Sequence, residues 1–481
     1  MSRPAAVTPS QGGLGHIPAQ PLSFSARSRA AVNDPALRAS FRGAMDFLQD
    51  KRRSQFPDRL HFESLRDQAA AIRRYALANL PQLLEQLEGK LVANGIRVHW
   101  AETPAEANAI VLDIAQGHQA QLMVKGKSMV SEEIELNHAM AAAGIEALES
   151  DMGEYIVQLA GEKPSHIIMP AIHKSKQQIA ELFASKLEGI EYTEDVDALI
   201  QIGRQVLREK FATADIGISG VNFAVAETGT LFLVENEGNG RMCTTVPPVH
   251  IAITGIEKVV ARLSHVAVLN SLLPHSATGQ AVTTYLNFIS HPRQAGELDG
   301  PQEVHLILLD NGRTAAYAVP ELRPTLQCIR CGACMNHCPV YARIGGHAYG
   351  TTYPGPIGAI ISPHLLGLAA TYELASASTL CGACVEVCPV RIPITDILVH
   401  LRQQSQGTGT PRLRGAGSGR RVLLSIAMWL WGNLYSHPRI YRACLYLATR
   451  LRKLRPAWQG AWTKSRLPLK PAARSLHERL R

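Results

Sequence analysis

In 481 residues no apolar run approaches the roughly 18 that a spanning helix requires, so no transmembrane segment is expected. The opening MSRPAAVTPSQGGLGHIPAQ has no apolar stretch behind its arginine and does not read as a secretory signal. No GxGxxG stands at a strand–helix junction, and there is no GxxxxGK[ST], no HExxH and no serine-nucleophile elbow. Those absences remove the sequence carriers of a dinucleotide fold, a phosphate loop, a zinc protease and a serine hydrolase. No recognised nucleic-acid reader is present, so no nucleic-acid partner is expected despite the formal charge of +9. Much of that charge follows the last cysteine run, where it reads as a solvated basic tail or one that touches an acidic partner or an anionic membrane surface. Cysteine is scarce too. Nine residues are too few for a secreted disulfide framework of this length, and seven of them sit in two tight runs. That clustering reads as metal ligation in a reducing compartment, and the expected location is the cytoplasm, with peripheral contact at the inner membrane face as the alternative.

What is present is an ordinary globular composition, 46% hydrophobic, long enough for about two to four domains. Residues 1–49 are expected to be a loosely ordered N-terminal segment. Residues 50–320 alternate helix and strand, as one large α/β domain or two fused lobes. LRDQAAAIRRYALANLPQLLEQLEGKLVANG is helical by period, with Gly95 as a stop. IRVHWAET and AQLMVKGKS read as strands, followed by the helical PAEANAIVLDIAQGH and VSEEIELNHAMAAAG. IEALESD, HIIMPAI, TGTLFLVEN, HIAITGI, HVAVLNSL and EVHLILLDN are further strand candidates. Strand alternating with helix predicts crossovers and a mostly parallel sheet. Residues 321–402 are expected to form a two-cluster domain, 403–420 a Gly/Thr/Arg-rich linker and 421–481 a basic, helical C-terminal domain.

The C-terminal domain opens with VLLSIAMWLWGNLY, too short to cross a hydrocarbon core of ~30 Å and with hardly any polar face. It reads as a helix buried against the cluster domain or a companion subunit. The other reading dips it into a membrane surface, with RLRKLR near anionic lipid.

The run CIRCGACMNHCPV places Cys328, Cys331, Cys334 and Cys338 at x2, x2, x3 spacing, with Pro339 after the last. That is the spacing by which thiolates hold the corners of iron–sulfur clusters, and in two-cluster proteins the fourth cysteine of each run serves the other cluster. A second run, CGACVEVCPV, repeats the ending with Cys381, Cys384 and Cys388. The expected cofactors are two iron–sulfur clusters of [4Fe–4S] type. Cys328, Cys331, Cys334 and Cys388 would hold the first, and Cys338, Cys381 and Cys384 the second. Gly332 and Gly382 let the backbone wrap close enough to aim N–H groups at sulfide. Zinc wants four ligands and gives no reason for a crossed, proline-terminated repeat. Where an eighth cysteine would stand, the chain has Ser378. Three outcomes fit: a [3Fe–4S] cluster, a four-iron cluster with a non-thiolate fourth ligand, or a cysteine reaching in from elsewhere. Ser376 and Ser378 offer oxygen, His337 and His347 are near in sequence, and Cys243 and Cys444 are the spare thiols.

In the large domain the distinctive text is DIGISGVNFAVAETGTLFLVENEGNGRMCTTVPPVHIAITGIEKVV. Glu235, Glu237, Asn239 and Arg241, around Gly238 and Gly240, form a candidate polar pocket for a small anion or a partner's loop. Tight turns with surface charges are the plain alternative. Glu227 is a candidate acid or base. Lys125, Gly126, Lys127 and Ser128 mark a strand-to-helix junction that suits anions without the spacing of a phosphate loop.

The spacer ISPHLLGLAATYELASAS has room for helical turns between the cysteine runs, and GGHAYGTTYPGPIGAI before it reads as a loop with special backbone angles. This resembles the all-helical two-cluster domain of electron-transfer subunits such as those of succinate dehydrogenase and heterodisulfide reductase. Together, VSEEIELN, AETGTLFLVENEGNGR, TTVPPVHIAITGIEKVV, CIRCGACMNHCPVY, IGGHAYGTTYPGPIGAI and LCGACVEVCPVRIPI resemble the iron–sulfur subunit of the bacterial lactate-utilisation system, the LutB or YkgF-like family. The likeness spans roughly residues 50 to 470. It implies a LUD-type α/β domain resembling the CoA-transferase and ribose-5-phosphate isomerase fold, and a seven-cysteine pattern in which Ser378 is no departure. It also implies two companion subunits, an electron donor and an acceptor, in the oxidation of L-lactate to pyruvate. The expected role is thus an electron-transfer subunit rather than a complete enzyme, with no catalytic residue assigned. The alternative is a self-sufficient oxidoreductase whose LUD-like domain binds a small organic acid beside a labile cluster. A regulatory iron–sulfur sensor would need a nucleic-acid module, and none is visible.

Overall fold

The computed structural model describes residues 23–407 and 418–454 and, beyond these, 456, 458–460, 463 and 467–480. The chain divides into two compact units, Met1–Gly407 and Thr408–Arg481. Ten strands lie in the first: β1 (Arg97–Ala101), β2 (Leu122–Lys125), β3 (Glu146–Glu149), β4 (Ile216–Gly220), β5 (Phe223–Val225), β6 (Thr230–Glu235), β7 (Val249–Gly255), β8 (Val259–Val260), β9 (Tyr285–Ile289) and β10 (Glu303–Leu309). Six form a sheet in the order β1-β10-β7-β4-β2-β3, all neighbours parallel. The central strands β4 and β7 are buried along their whole length and carry no Asp, Glu, Lys or Arg. Helices supply the crossovers. Pro104–Gly117 begins where the Thr103 side chain accepts from Glu106 N, with proline in the first turn, and Val196–Thr213 begins where Asp195 accepts from Ala198 N. The remaining strands make a mixed sheet, β8-β5-β6-β9, antiparallel at β5–β6 and β6–β9.

Several segments depart from their sequence reading. HVAVLNSL is not a strand but part of the helix Leu263–Ala277. Its buried Val266, Leu269, Leu272 and Leu273 recur at helical spacing, which outweighs the local valines. HIIMPAI forms no ladder. The amides of Ile168 and Met169 donate to His166 Nδ1 instead of to a neighbouring strand, and Pro170 has none to donate. The long period before Gly95 is two helices, Arg59–Ala78 and Leu80–Ala93, divided at Asn79 just ahead of Pro81. VSEEIELNHAMAAAG likewise breaks at Glu135, whose φ is 53°.

The N-terminal segment expected to be loosely ordered is helical where described, at Phe24–Val32 and Pro35–Gln55, and residues 1–22 lie outside the described residues. Side chains of Ser23 and Asp34 cap these helices, and Phe41, Met45 and Leu48 bury one face of the second. That face joins β5, β6, Leu263–Ala277 and six of the seven clustered cysteines in a single core. Phe41 meets Tyr341 edge-on at 5.6 Å, and Gln49 Nε2 donates to Asn336 O at 2.7 Å.

The expected linker starts inside the helix Ile394–Gly407, and its residues 408–417 lie outside the described residues. The second unit holds the helices Ser418–Ser436 and Pro438–Arg450. Met428, Trp429, Leu430 and Trp431 are exposed, and Trp431 stacks on Tyr435 at 4.9 Å. Among the described residues no helix is long and apolar enough to cross a membrane.

Candidate functional site

Both cysteine runs fold alike. Gly332 (φ 76°) and Gly382 (φ 85°) each open a four-residue helix, Ala333–Asn336 and Ala383–Glu386. Backbone amides point at sulfur: Arg330 N lies 3.3 Å from Cys328 Sγ, Tyr341 N 3.5 Å from Cys338 Sγ and Ile392 N 3.3 Å from Cys388 Sγ. The thiols fall into two neighbourhoods that cross the runs. Cys331 feels Cys328 and Cys388, and Cys334 feels Cys331, Cys328 and Cys388 and, least, Cys384 of the other set. Cys338 feels Cys381, and Cys384 feels Cys338 and Cys381. Six of the seven are buried and Cys381 is exposed.

Burial, then the neighbouring Cys328, pushes the Cys331 thiol up to about 12, and burial pushes Cys388 up to about 11. Buried thiols so arranged hold their protons unless a cationic centre compensates the thiolates. Spacing says what kind of centre fits. Among the described residues no three cysteine sulfurs lie within 4.8 Å of one another. Tetrahedral zinc with bonds of about 2.3 Å would draw its sulfurs to about 3.8 Å apart. The sets are too open for a single zinc ion, and they fit the wider body of an iron–sulfur cluster, with backbone N–H groups already turned to the sulfurs.

Of the candidates for the missing ligand, Ser378 stands in the right turn. Its Oγ accepts from Leu380 N at 3.1 Å, and Leu380 has the positive φ (56°) that Arg330 has (61°) in the first run. Ser376 is exposed. His337 Nδ1 is bonded to Ala333 O, and burial pushes its pKa down to about 4. His347 bonds Lys163 O and groups with Glu162 and His173. Cys243 sits in a different core beside Ser150 Oγ, with burial pushing it up to about 12. Cys444 belongs to the second unit and is exposed.

Three arginines that sequence reasoning passed over brace these loops. Arg52 donates to Val387 O at 3.3 Å, Arg66 to Cys388 O at 2.9 Å and Val385 O at 3.0 Å, and Arg73 to Gln327 O at 3.2 Å. The available signal was position: Arg66 and Arg73 lie on the same helix stripe as Phe62, Ala69 and Ala76, where an unpaired charge is not tolerated. The glycine-rich spacer also has a packing reason. A Cβ on Gly346 would stand 1.8 Å from Ser165 O.

The large domain presents a cavity of about 450 Å³ next to the first cysteine loop. Lys127, Asp151, Glu235, Glu237, Lys258 and Arg330 line it among apolar side chains. Glu235 spends its carboxylate on the amides of Gly240 (3.0 Å) and Arg241 (2.9 Å). Glu237 is reached by solvent, yet the surrounding protein and then Asp151 push its pKa up to about 7, while Met152 N donates to it at 3.2 Å. Asn239 lines the cavity, but Arg241 is exposed with its guanidinium 6.0 Å over the Tyr285 ring. Lys125 is wholly committed to Glu132 (2.8 Å) and Glu149 (2.6 Å), and Glu227 caps Leu263 N.

Of the cationic side chains that line the cavity, Lys127 was singled out from the sequence, whereas Lys258 and Arg330 were not. Arg330 bonds Glu257 at 3.1 Å and lies 4.7 Å over the Tyr353 ring. Glu257 also takes Arg313 at 2.6 Å, and Arg313 reaches Glu133 at 2.8 Å. Burial pushes the Glu257 carboxyl up, and Arg313 and Arg330 more than reverse that, holding it at about 2. Burial, then Arg330, pushes Lys258 down to about 7.

Comparison with known proteins bears on the same three regions. Residues 84–309 match the LUD domain, 325–392 a 4Fe-4S dicluster domain and 400–481 the C-terminal region of lactate utilisation protein B. The chain is 44% identical over 419 residues to an uncharacterised electron transport protein, YkgF, of Escherichia coli, covering 87% of this chain and 86% of that one. It is 42% identical over 382 residues to lactate utilisation protein B of Bacillus subtilis, covering 79% of each. A DUF162 family structure from Deinococcus radiodurans aligns over 48% of this chain and 98% of its own with 15% identity and a TM-score of 0.28, too low to carry a statement about the fold.

Proposed function

The chain belongs to the lactate utilisation protein B family of iron–sulfur proteins, and from that premise we propose that it is the electron-transfer subunit of a complex that oxidises L-lactate to pyruvate. The observation that supports this reading is the crossing of the two thiol neighbourhoods, which would put two redox centres in one small fold. Cys328, Cys331, Cys334 and Cys388 would hold one [4Fe–4S] cluster. Cys338, Cys381 and Cys384 would hold the second, with Ser378 at the open corner as an oxygen ligand or beside a [3Fe–4S] form. Bound clusters supply one-electron transfer, and centres that close together make a short wire. The chain's own part is to exclude water from six of the seven thiols, to aim amides at sulfur and to set Arg52, Arg66 and Arg73 against the loop carbonyls.

A wire needs an entry and an exit, so companion subunits supply the donor and the acceptor. Exposed Cys381 supports an exit at the second set, and the exposed tryptophans of Ser418–Ser436 support a docking face for a companion or a membrane surface. With this reading go an α/β portion over 50–320, a cluster domain over 321–402, a linker over 403–420 and a C-terminal domain over 421–481 in a cytoplasmic protein. Kinship of the α/β portion with CoA-transferase and ribose-5-phosphate isomerase folds is supported by its six parallel strands.

The test is anaerobic purification with iron and sulfide analysis and EPR, followed by reconstitution with the companion subunits. Two clusters per chain and lactate-dependent dye reduction only with companions present are expected. Steady dye reduction by the purified chain alone sinks the electron-transfer reading in favour of a self-sufficient oxidoreductase.

A further inference from the structure

We infer that the cavity walled by Lys258 and Arg330 is a binding site for an aliphatic 2-hydroxy or 2-oxo monocarboxylate. Two cations are buried there with bonding capacity to spare. Lys258 is 5% exposed and, among the described residues, its ammonium has no hydrogen-bond or ion-pair partner. Arg330 is 9% exposed and its Nη1 is buried without a partner, because Glu257 takes Nη2 alone. Both line the cavity, and they lie close enough to repel each other. A bound anion would complete the bonding of Arg330 and favour the charged form of Lys258. Glu257 does not meet the demand, since Arg313 claims its other oxygen.

The rest of the wall narrows the ligand class. Ile167, Leu233, Leu273 and Ala277 offer an apolar bed for a short carbon chain. Thr283, whose buried Oγ1 is without a partner, also lines the cavity, and its hydroxyl suits a hydroxyl or carbonyl oxygen beside the carboxylate. Asp151, Glu235 and Glu237 stand on the acidic side, which disfavours a doubly charged phosphate and tolerates a single carboxylate. The cavity adjoins Cys328, whose charge reaches both cations. The site therefore lies by the fully cysteine-ligated set and not by the open corner at Ser378. The inference rests on the reading above only for the cluster at Cys328; the binding site does not depend on it.

Holoprotein purified anaerobically, its iron and sulfide measured, is titrated calorimetrically with L-lactate, pyruvate and inorganic phosphate. One carboxylate per chain is expected, with phosphate about tenfold weaker or more. Lys258→Met and the cavity-filling Ala277→Leu should each weaken the carboxylate about tenfold or more. No binding to wild-type holoprotein up to about 10 mM overturns the inference. So does phosphate binding as tightly as the carboxylates, or unchanged affinity in both variants. If Lys258 only balances charge at the cysteine loop, Lys258→Met loses iron while Ala277→Leu binds like wild type, and that pattern also overturns it. Failure of the electron-transfer reading has a different mark: wild-type protein without two clusters' worth of iron and sulfide, whatever its carboxylate affinity.

Discussion

Ser378 holds its side-chain oxygen in the second cysteine loop where Cys328 holds its sulfur in the first. In each case the amide two residues on, at Leu380 or Arg330, turns back to that atom through a positive φ. The two loops share this backbone geometry, and only the side-chain atom that takes the amide differs. Replacing Ser378 by cysteine is therefore expected to preserve the fold and add a fourth thiolate. Iron lost from the second site on oxidation should fall, and any three-iron EPR signal of the oxidised wild type should shrink. Unaltered signals and iron loss in a folded Ser378→Cys protein would place the open corner elsewhere.

Crossing of the runs gives a second expectation. Cys388→Ala should damage the centre of Cys328, Cys331 and Cys334, while Cys384→Ala should spare it. EPR of the reduced variants reads this directly. Selective loss of the second centre in Cys388→Ala would mean that each run serves its own cluster.

Glu257, buried between Arg313 and Arg330, ties the parallel sheet to the first cysteine loop. Removing one partner of a buried ionic network costs about 3–5 kcal/mol, since the cations left behind stay buried. Glu257→Ala should lower the melting temperature of the anaerobic protein markedly. Substitution with little thermal effect would show that the network contributes nothing net.

His250 gives a pH dependence away from the cysteines. Burial, then His305, pushes its pKa down to about 3, and Ser219 Oγ lies 2.8 Å from Nε2. The unfolded chain binds this proton near pH 6.5 and the folded chain resists it, so stability is full above that value and declines as pH falls towards 3. The slope this residue supplies is at most about 1.4 kcal/mol per pH unit. Melting temperature measured between pH 7.5 and about 5.5 should fall less steeply in His250→Gln than in wild type. Parallel curves would assign the acid sensitivity to other groups.

Arg241 illustrates a local reading corrected by position. Beside a glycine-rich turn it suits an anion, yet it lies exposed over Tyr285, a contact worth about 0.5–1 kcal/mol. Arg241→Ala should leave turnover of the reconstituted complex within about fivefold of wild type. A much larger loss would mark this surface as one that a companion grips.

The thiol pairing scheme was proposed from spacing alone, because x2, x2, x3 with a following proline is a property of a dozen contiguous residues. Gly332 and Gly382 were legible for the same reason: a positive φ ahead of a short helix is a local demand. Strands β1, β2, β3, β6, β7 and β10 followed from short apolar runs bounded by turns, while β4 was not singled out. Tertiary structure decided what local pattern leaves open. Leu263–Ala277 became a helix because its apolar spacing found a core to fill, and residues 166–172 stayed irregular because His166 turned its ring to Asn336 and took two nearby amides. The N-terminal helices mattered only once Phe41 and Arg52, Arg66 and Arg73 met loops some three hundred residues later in the chain. Lys258 and Arg330 were unremarkable letters in IEKVV and CIRCG. Whether a charged side chain is solvated, paired or left facing a cavity depends on which distant groups surround it, and no period or spacing encodes that.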